Sequence, residues 1–174
     1  MNIDEKYYPH FLTFSCYHKM SLFKDSCLYQ LFIDALDNAR NKLGFELFAF
    51  VVMPDHVHMV VYPGSDSRIS EILYAIKRPF SFRASKHLCE HHRSLWDSIQ
   101  VKHAGKIVSR FWQRGGGFDK LIFKSETLFN VIEYIHSNPV RKGLVKSSFD
   151  WKWSSIHCWE RGVNVPIRLD KPRI

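Results

Sequence analysis

The sequence predicts an α+β fold: a ferredoxin-like antiparallel sheet with helices on one face and an added C-terminal helix. Segments of strand composition alternate with segments whose apolar residues recur every three or four positions, in the order strand, helix, strand, strand, helix, strand. A chain of 174 residues with 45% apolar content can bury one substantial core. No repeat or low-complexity segment divides it. We therefore expect a single domain over residues 1–174, with a loosely held tail from about residue 160.

The first half of the chain has the clearest elements. Phe11–Tyr17 has strand composition. Apolar residues at helical spacing predict a helix at Ser26–Leu43, with Ser26 capping its start and Gly44 its end.

A β-hairpin is predicted next. Phe45–Met53 is typical of a buried strand, and Pro54-Asp55 favours a tight turn. His56–Tyr62 should pair back against the first of these strands, and Pro63–Ser65 should close the hairpin.

A second helix should start at Ser70, and Pro79 should kink or end it because proline cannot donate an in-helix hydrogen bond. Phe82–Ser109 shows no readable period. Gly115–Gly117 then predicts a flexible loop.

The last predicted elements are a short strand and the added helix. The strand is expected at about Phe118–Phe123. The helix should be capped by Ser125, bury Leu128, Ile132 and Ile135 on one face, and end at Asn138-Pro139.

Two histidines separated by one apolar residue form the first chemical feature. In a strand, His56 and His58 project to the same face, about 7 Å apart by the strand rise. We expect them to look outward from the open face of the sheet, where they could chelate one metal ion. With 10 histidines in the chain, an accidental pair is the alternative. Asp55 and Asp119 could orient metal-bound histidines but fit turns better, and no chelating partner is identifiable for His91, His92, His103, His136 or His157.

The net charge of +8 indicates a polyanionic partner. Basic residues lie close in sequence to aromatic ones, a combination suited to single-stranded nucleic acid. The alternative is an ordinary solvated surface over aromatic core residues. The candidate DNA-binding residues are Lys77, Arg78, Arg110, Arg114, Arg141 and Lys142.

Other features narrow the location and class of the protein. The longest apolar run, Leu47–Met53, is far shorter than the roughly 20 residues of a membrane helix. The N-terminus has no apolar signal-peptide core, so we expect a cytoplasmic protein without a membrane partner. The four cysteines form no Cys-x-x-Cys pair and are expected to remain reduced thiols.

A tyrosine and an asparagine form the second chemical feature. On a helix, Tyr134 and Asn138 are four residues apart and therefore share one face. A phenol and a carboxamide oxygen would be presented together. The alternative is a half-buried core tyrosine followed by a helix-ending asparagine.

These features together resemble the HUH-type single-tyrosine transposases, in particular the REP-associated tyrosine transposase branch. The resemblance extends from about Phe11 to Ser155. The residues that carry it are Val52–His58, Phe111–Arg114, Asp119, Ile122, Tyr134–Val145 and Trp153–Ser155. The Gly115–Gly117 run departs from the pattern by its apparent flexibility, and the contribution of Trp151 and Trp153 is open between DNA contact and packing on the sheet.

The resemblance implies cleavage and rejoining of single-stranded or hairpin DNA through a 5′-phosphotyrosine intermediate. By this resemblance Tyr134 is the nucleophile, while His56, His58 and Asn138 bind a divalent metal, Mg²⁺ or Mn²⁺. No nucleotide cofactor is expected. A monomer and a homodimer are both compatible with the resemblance.

Three other functions stay open from the sequence. A zinc-dependent hydrolase can use a His-x-His pair, and a separate carboxylate beside His56 would favour it. A non-catalytic nucleic-acid-binding module on a ferredoxin-like sheet would leave Tyr134 structural. A replication-initiator or relaxase-type nickase shares the histidine pair, although the segments around Asn138 and Trp153 favour the transposase branch.

Overall fold

The computed structural model of the protein describes residues 7–64, 67–163 and 166–172. The strands are β1 His10–Ser15, β2 Glu46–Val52, β3 His56–Tyr62, β4 Gln100–His103, β5 Lys106–Ser109 and β6 Phe118–Leu121. The helices are α1 Ser26–Leu43, α2 Ile69–His91, α3 Arg93–Ser98, α4 Ser125–Arg141 and α5 Ile156–Arg161, with short 3-10 turns at Tyr17–Lys19 and Ser148–Asp150. None of the helices in these described ranges has the length and apolar character needed to cross a membrane.

The main sheet has four strands in the order β2-β3-β1-β6, and every pairing is antiparallel. β2 and β3 form the predicted hairpin, with Val52 opposite Val57. The central pair, β1 and β3, aligns Thr13 with His58. β4 and β5 pair separately as a two-stranded ribbon. This strand order confirms the predicted ferredoxin-like fold.

Helices α1 and α2 pack against one face of the main sheet. Val57, Met59 and Val61 of β3 face this side and join the buried aliphatic and aromatic residues of both helices. α1 begins at Ser26 as predicted, but its N-cap is Asp25 rather than Ser26, and the Asp25 side chain accepts from the Leu28 N–H. Gly44 ends α1 in the left-handed conformation, as predicted.

Pro79 and Pro139 both lie inside helices. Pro79 does not end its helix, since α2 continues to His91. Phe80, Ala84 and Leu88 are fully buried beyond it, and this burial offsets the lost backbone hydrogen bond. Likewise, α4 continues past Pro139 to Arg141, so the predicted end at Asn138-Pro139 is two residues early.

Helix α4 covers the second face of the sheet. Its buried residues Leu128, Ile132 and Ile135 pack against Val60 and the outward side chains of β2. The expectation that the histidines look outward from an open face is therefore wrong, because the apolar stripe of α4 needs a surface to bury and takes this one. The histidines lie between the sheet and α4.

The C-terminal segment returns to the sheet. The Asp170 N–H donates to the Leu47 carbonyl at 2.9 Å, and the Leu47 N–H donates back to the Asp170 carboxylate at 2.9 Å. The Arg40 guanidinium donates to both Asp170 carboxylate oxygens, at 3.0 and 2.7 Å. These contacts hold the described part of the tail against β2 and α1.

Candidate active site

The imidazoles of His56 and His58 converge on one point. Their Nε2 atoms are 3.1 Å apart and their ring centroids 4.6 Å apart. This is closer than the strand rise predicts, because the two rings lean toward each other from adjacent positions on the same face. Two nitrogens that bind one ion at about 2.1 Å, at about a right angle to each other, lie about 3.0 Å apart. The spacing of this pair therefore fits a single metal ion.

Each ring is fixed through its other nitrogen. The Asp55 carboxylate lies 2.7 Å from His56 Nδ1, and the Thr13 hydroxyl lies 2.7 Å from His58 Nδ1. With Nδ1–H donating to Asp55, the Nε2 of His56 keeps its lone pair for a ligand, an arrangement common behind metal-bound histidines. Asp55 thus contacts the ring in addition to occupying the turn. Asp119 does not, because it bonds to His10 Nδ1 at 2.7 Å.

The electrostatic environment keeps His58 neutral. Its pKa is lowered from 6.5 to about 3, mainly by burial and further by the charges of His56 and Lys142, against the opposing effect of Asp55. Desolvation penalises the imidazolium form. A neutral imidazole is the form that binds a metal.

Tyr134 packs directly on this pair. Its ring centroid lies 5.5 Å from that of His58 and 6.1 Å from that of Phe11. The Arg141 guanidinium lies 5.0 Å from the centre of the Tyr134 ring. The structure therefore brings the predicted nucleophile to the predicted metal ligands, and sets a basic residue beside it.

Asn138 lies one helical turn after Tyr134 and is 3% exposed. Among the residues that the structure describes, its Oδ1 is one of two buried side-chain polar atoms without a hydrogen-bond partner; the other is Trp112 Nε1. Leaving a buried acceptor unpaired costs about 1–3 kcal/mol. A buried carboxamide oxygen without a partner is chemically suited to bind a cation, and Asn138 lies on the helix whose Tyr134 packs on His58.

Four of the predicted DNA-binding residues, Lys77, Arg78, Arg110 and Arg114, contact residues other than the histidine pair. Lys77 lies 4.5 Å from the centre of the Phe14 ring, and burial lowers its pKa to about 8. Arg78 lies over Tyr74, and Arg110 over Tyr17. Arg114 is 3.3 Å from His103 Nδ1. Of the six predicted DNA-binding residues, Arg141 lies beside the Tyr134 ring, and the charge of Lys142 lowers the pKa of His58.

The aromatic and serine tail motif is packed into the fold. Trp153 stacks on Tyr29 at 5.0 Å and the Trp151 indole donates to the Val52 carbonyl at 3.0 Å. The buried Ser155 hydroxyl accepts from the Phe50 N–H at 2.9 Å and lies 2.8 Å from His136 Nε2. Packing on the sheet, rather than DNA contact, accounts for this segment.

The glycine run has one residue with a steric role. Gly117 has a φ of +85°, and a Cβ there would lie 2.1 Å from the Thr13 carbonyl oxygen. A glycine is therefore required at position 117 for the loop backbone to approach β1 this closely. The approach is to Thr13, whose hydroxyl contacts His58. Neither Thr13 nor Gly117 was recognisable from sequence spacing, because their roles depend on which strands pair.

The chain is similar to known transposases. Residues 4–138 match the model of a family described as IS200-like transposase. A REP-associated tyrosine transposase of Escherichia coli K12 is 28% identical over 130 residues, 74% of this chain and 65% of the relative. A Haemophilus influenzae relative is 28% identical over 114 residues, 65% of this chain and 60% of its own length. The chain thus aligns with less than two thirds of each of these relatives.

A solved structure of a related fold aligns over the whole chain. It is that of a REP-associated tyrosine transposase bound to a REP hairpin, which superposes with a TM-score of 0.67 at 24% identity, over 100% of this chain and 95% of the other. This likeness establishes a shared fold.

Proposed function

Because this chain belongs to the IS200-like transposase family, we propose that it cleaves and rejoins single-stranded DNA at hairpin-bearing sites, using Tyr134 and a divalent metal. The observation that carries the proposal is the packing of the Tyr134 ring on His58, 5.5 Å between centroids, beside two convergent imidazole nitrogens. Family membership alone indicates DNA cleavage in general, and this geometry supports Tyr134, His56 and His58 as the residues involved.

The proposed chemistry is a transesterification. Tyr134 Oη forms a bond to the scissile phosphorus as the bond from phosphorus to the 3′ oxygen breaks. The phenolic proton passes to solvent, and the departing 3′ oxygen takes up a proton. The products are a 5′-phosphotyrosine and a free 3′-hydroxyl, and attack by another 3′-hydroxyl reverses the step. The ester keeps the energy of the broken bond, so no nucleotide cofactor is needed.

The chain's own residues orient and neutralise the reactants. A phenol is a weak nucleophile at neutral pH and a phosphodiester is anionic, so charge compensation is required. Mg²⁺ or Mn²⁺ held by His56, His58 and Asn138 would polarise the phosphate and offset the charge that gathers on it. Asp55 and Thr13 keep the two rings in position, while Arg141 and Lys142 add positive charge where the phosphate must lie.

Hairpin DNA is proposed as the partner on two grounds. The net charge of +8 suits a polyanion, and a protein of the same fold has been solved bound to a REP hairpin. Tyr134 meets His58 within one chain, so a monomer contains every proposed site residue. The mass of the purified protein, compared with the 20.6 kDa chain, distinguishes a monomer from a homodimer.

Asp55 bears on the zinc-hydrolase alternative, because it is a carboxylate beside His56. It contacts Nδ1, however, and the convergent atoms of the pair are the Nε2 nitrogens. This position supports the ring and does not add a ligand at the point of convergence. The observation therefore does not favour a hydrolase.

The test is covalent attachment. The protein is incubated with a panel of hairpin-bearing single strands from DNA around its gene, with Mn²⁺ or with EDTA, and then denatured. The proposal predicts a protein-DNA adduct with Mn²⁺ only. Tight binding without any adduct across the panel would instead identify a non-catalytic DNA-binding module.

Asn138→Ala tests the third ligand. We expect slower adduct formation that recovers in part at high Mn²⁺ concentration, since the lost oxygen weakens metal binding without removing the nucleophile. The matched control is Asn130→Ala, on the exposed surface of the same helix, which should behave as the unmodified protein. A loss in Asn138→Ala that no metal concentration changes would contradict a ligand role.

A further inference from the structure

A second group of metal-ligating side chains lies where α1 begins and α2 ends. Asp25, Cys27, His87 and His92 form this group, here called the Asp25 cluster. His87 Nε2 lies 2.8 Å and His92 Nε2 2.6 Å from the same carboxylate oxygen, Asp25 Oδ2. The other oxygen, Oδ1, accepts the capping hydrogen bond from the Leu28 N–H at 3.1 Å. Two imidazoles therefore converge on one oxygen whose carboxylate is already fixed by the helix.

Cys27 adds a thiol to the cluster. One ligand atom each from Asp25, Cys27 and His87 lie within 4.8 Å of one another. Cys27 is a free and exposed cysteine, so an ion can reach it from solvent. In a tetrahedral site with bonds of about 2.0–2.3 Å, neighbouring ligand atoms are about 3.3–3.8 Å apart. His92 joins this group through its 2.6 Å contact with Asp25 Oδ2.

The Asp25 cluster brings a carboxylate, two imidazoles and a thiol together. In sequence it reads Asp-x-Cys followed by His-x4-His, and the second half has the spacing of histidine pairs in structural zinc sites.

We propose that the Asp25 cluster is a second metal site, which binds Zn²⁺ or a similar ion through Asp25, Cys27, His87 and His92. Mixed sulfur, nitrogen and oxygen ligands favour zinc over magnesium. The site lies on the α1 and α2 side of the sheet, whereas the His56 and His58 pair lies under α4. Its ion joins the first turn of α1 to the corner between α2 and α3. His92 lies at this corner as the C-cap of α2 and the N-cap of α3. Binding through Nε2 requires each imidazole to carry its proton on Nδ1, and the thiol releases its proton to solvent.

Cobalt spectroscopy separates this site from the one under α4. Co²⁺ bound to a thiolate gives a charge-transfer absorption that imidazole and amide ligands do not give, and Cys27 is the cysteine of the Asp25 cluster. Metal-free protein titrated with Co²⁺ should develop this band, with an intensity at saturation that corresponds to one thiolate-bound ion per chain. Cys27→Ser should abolish the band, while the matched control Cys158→Ser should retain it.

The histidines are tested by affinity. His87→Gln and His92→Gln can still hydrogen-bond to Asp25 but remove one ligand each, so each should weaken Co²⁺ binding at the thiolate band by at least about tenfold. His58→Ala should leave the band unchanged, because it belongs to the other site. Absence of the band in the unmodified protein, its persistence in Cys27→Ser or its loss in Cys158→Ser would overturn the proposal.

Discussion

The ring of Tyr134 lies 5.5 Å from the ring of His58, and this contact joins helix α4 to the central strand pair. It is a contact between residues 76 positions apart in sequence, formed because α4 buries its apolar stripe on the face from which the histidines project. Packing and chemistry therefore coincide at one place.

His56→Ala should lower the rate of divalent-metal-dependent DNA cleavage by a factor on the order of 10² or more. Folding should be retained and DNA affinity should change little, because phosphate contacts elsewhere dominate binding. The measurement is the adduct-formation rate in Mg²⁺, beside far-UV circular dichroism. His157→Ala is the control, since its ring contacts the Phe149 carbonyl. Undiminished cleavage by His56→Ala in Mg²⁺ would rule out the proposed metal site.

Gly117→Ala should destabilise the protein by at least about 2 kcal/mol, because the new Cβ would lie 2.1 Å from the Thr13 carbonyl oxygen at a φ of +85°. Gly116 is the matched control: a Cβ there meets nothing within 4 Å. Urea denaturation of the two variants is the measurement. Equal stabilities would show that the close approach of this loop to β1 is not maintained in solution.

Stability should fall as the pH is lowered from neutral toward 4. The pKa of His136 is lowered from 6.5 to about 4 by burial, and that of His58 is lowered to about 3. Between these values and 6.5 the unfolded chain binds protons that the folded chain does not, so acidification favours unfolding. Each such group contributes up to about 1.4 kcal/mol per pH unit within its window.

His136→Gln should reduce this pH dependence, because it removes one of the two depressed histidines. His157→Gln, which changes a more exposed ring on α5, should leave the slope as it is. The free energy of unfolding is measured by urea titration at several pH values between about 4 and 7. An unchanged slope in His136→Gln would mean that this imidazole is not held neutral in the folded protein.

DNA binding should weaken steeply with salt, since a net charge of +8 implies release of counterions from the nucleic acid. Replacing both Arg141 and Lys142 by Gln should lower the magnitude of the slope of log K against log salt by about 1.5, at about 0.7–0.9 for each phosphate contact. The matched control replaces both Lys42 and Arg83 by Gln. These residues lie on α1 and α2, on the other side of the sheet from α4. An affinity independent of salt would remove the electrostatic argument.

The sequence was sufficient where local pattern decides structure. The alternation of β3 predicted that His56 and His58 share a face, and helical spacing predicted that Tyr134 and Asn138 do. The element order predicted the ferredoxin-like sheet, and the ordered motifs predicted the transposase family; both predictions are confirmed. Each of these depends on residues close in sequence or on their order.

The features that the sequence did not predict depend on contacts between segments that are distant in the chain. Thr13 supports His58 only because β1 pairs with β3 in one register. The helices continue past Pro79 and Pro139 because tertiary burial outweighs local propensity. His92 lacked an identifiable partner in the sequence because Asp25 lies 67 residues away. Such relationships become visible only when the packing of the helices is known.

Attachment of DNA to Tyr134 itself is the most direct test of the account. Tyr134→Phe removes only the hydroxyl, so it should fold, bind metal and bind hairpin DNA while forming no adduct. The matched control, Tyr62→Phe, makes the same change on β3, where the ring stacks on Phe48, and should form the adduct normally. Digestion of the adduct and mass spectrometry should place the DNA 5′ phosphate on Tyr134. An adduct mapped to any other residue, or one still formed by Tyr134→Phe, would contradict the assignment.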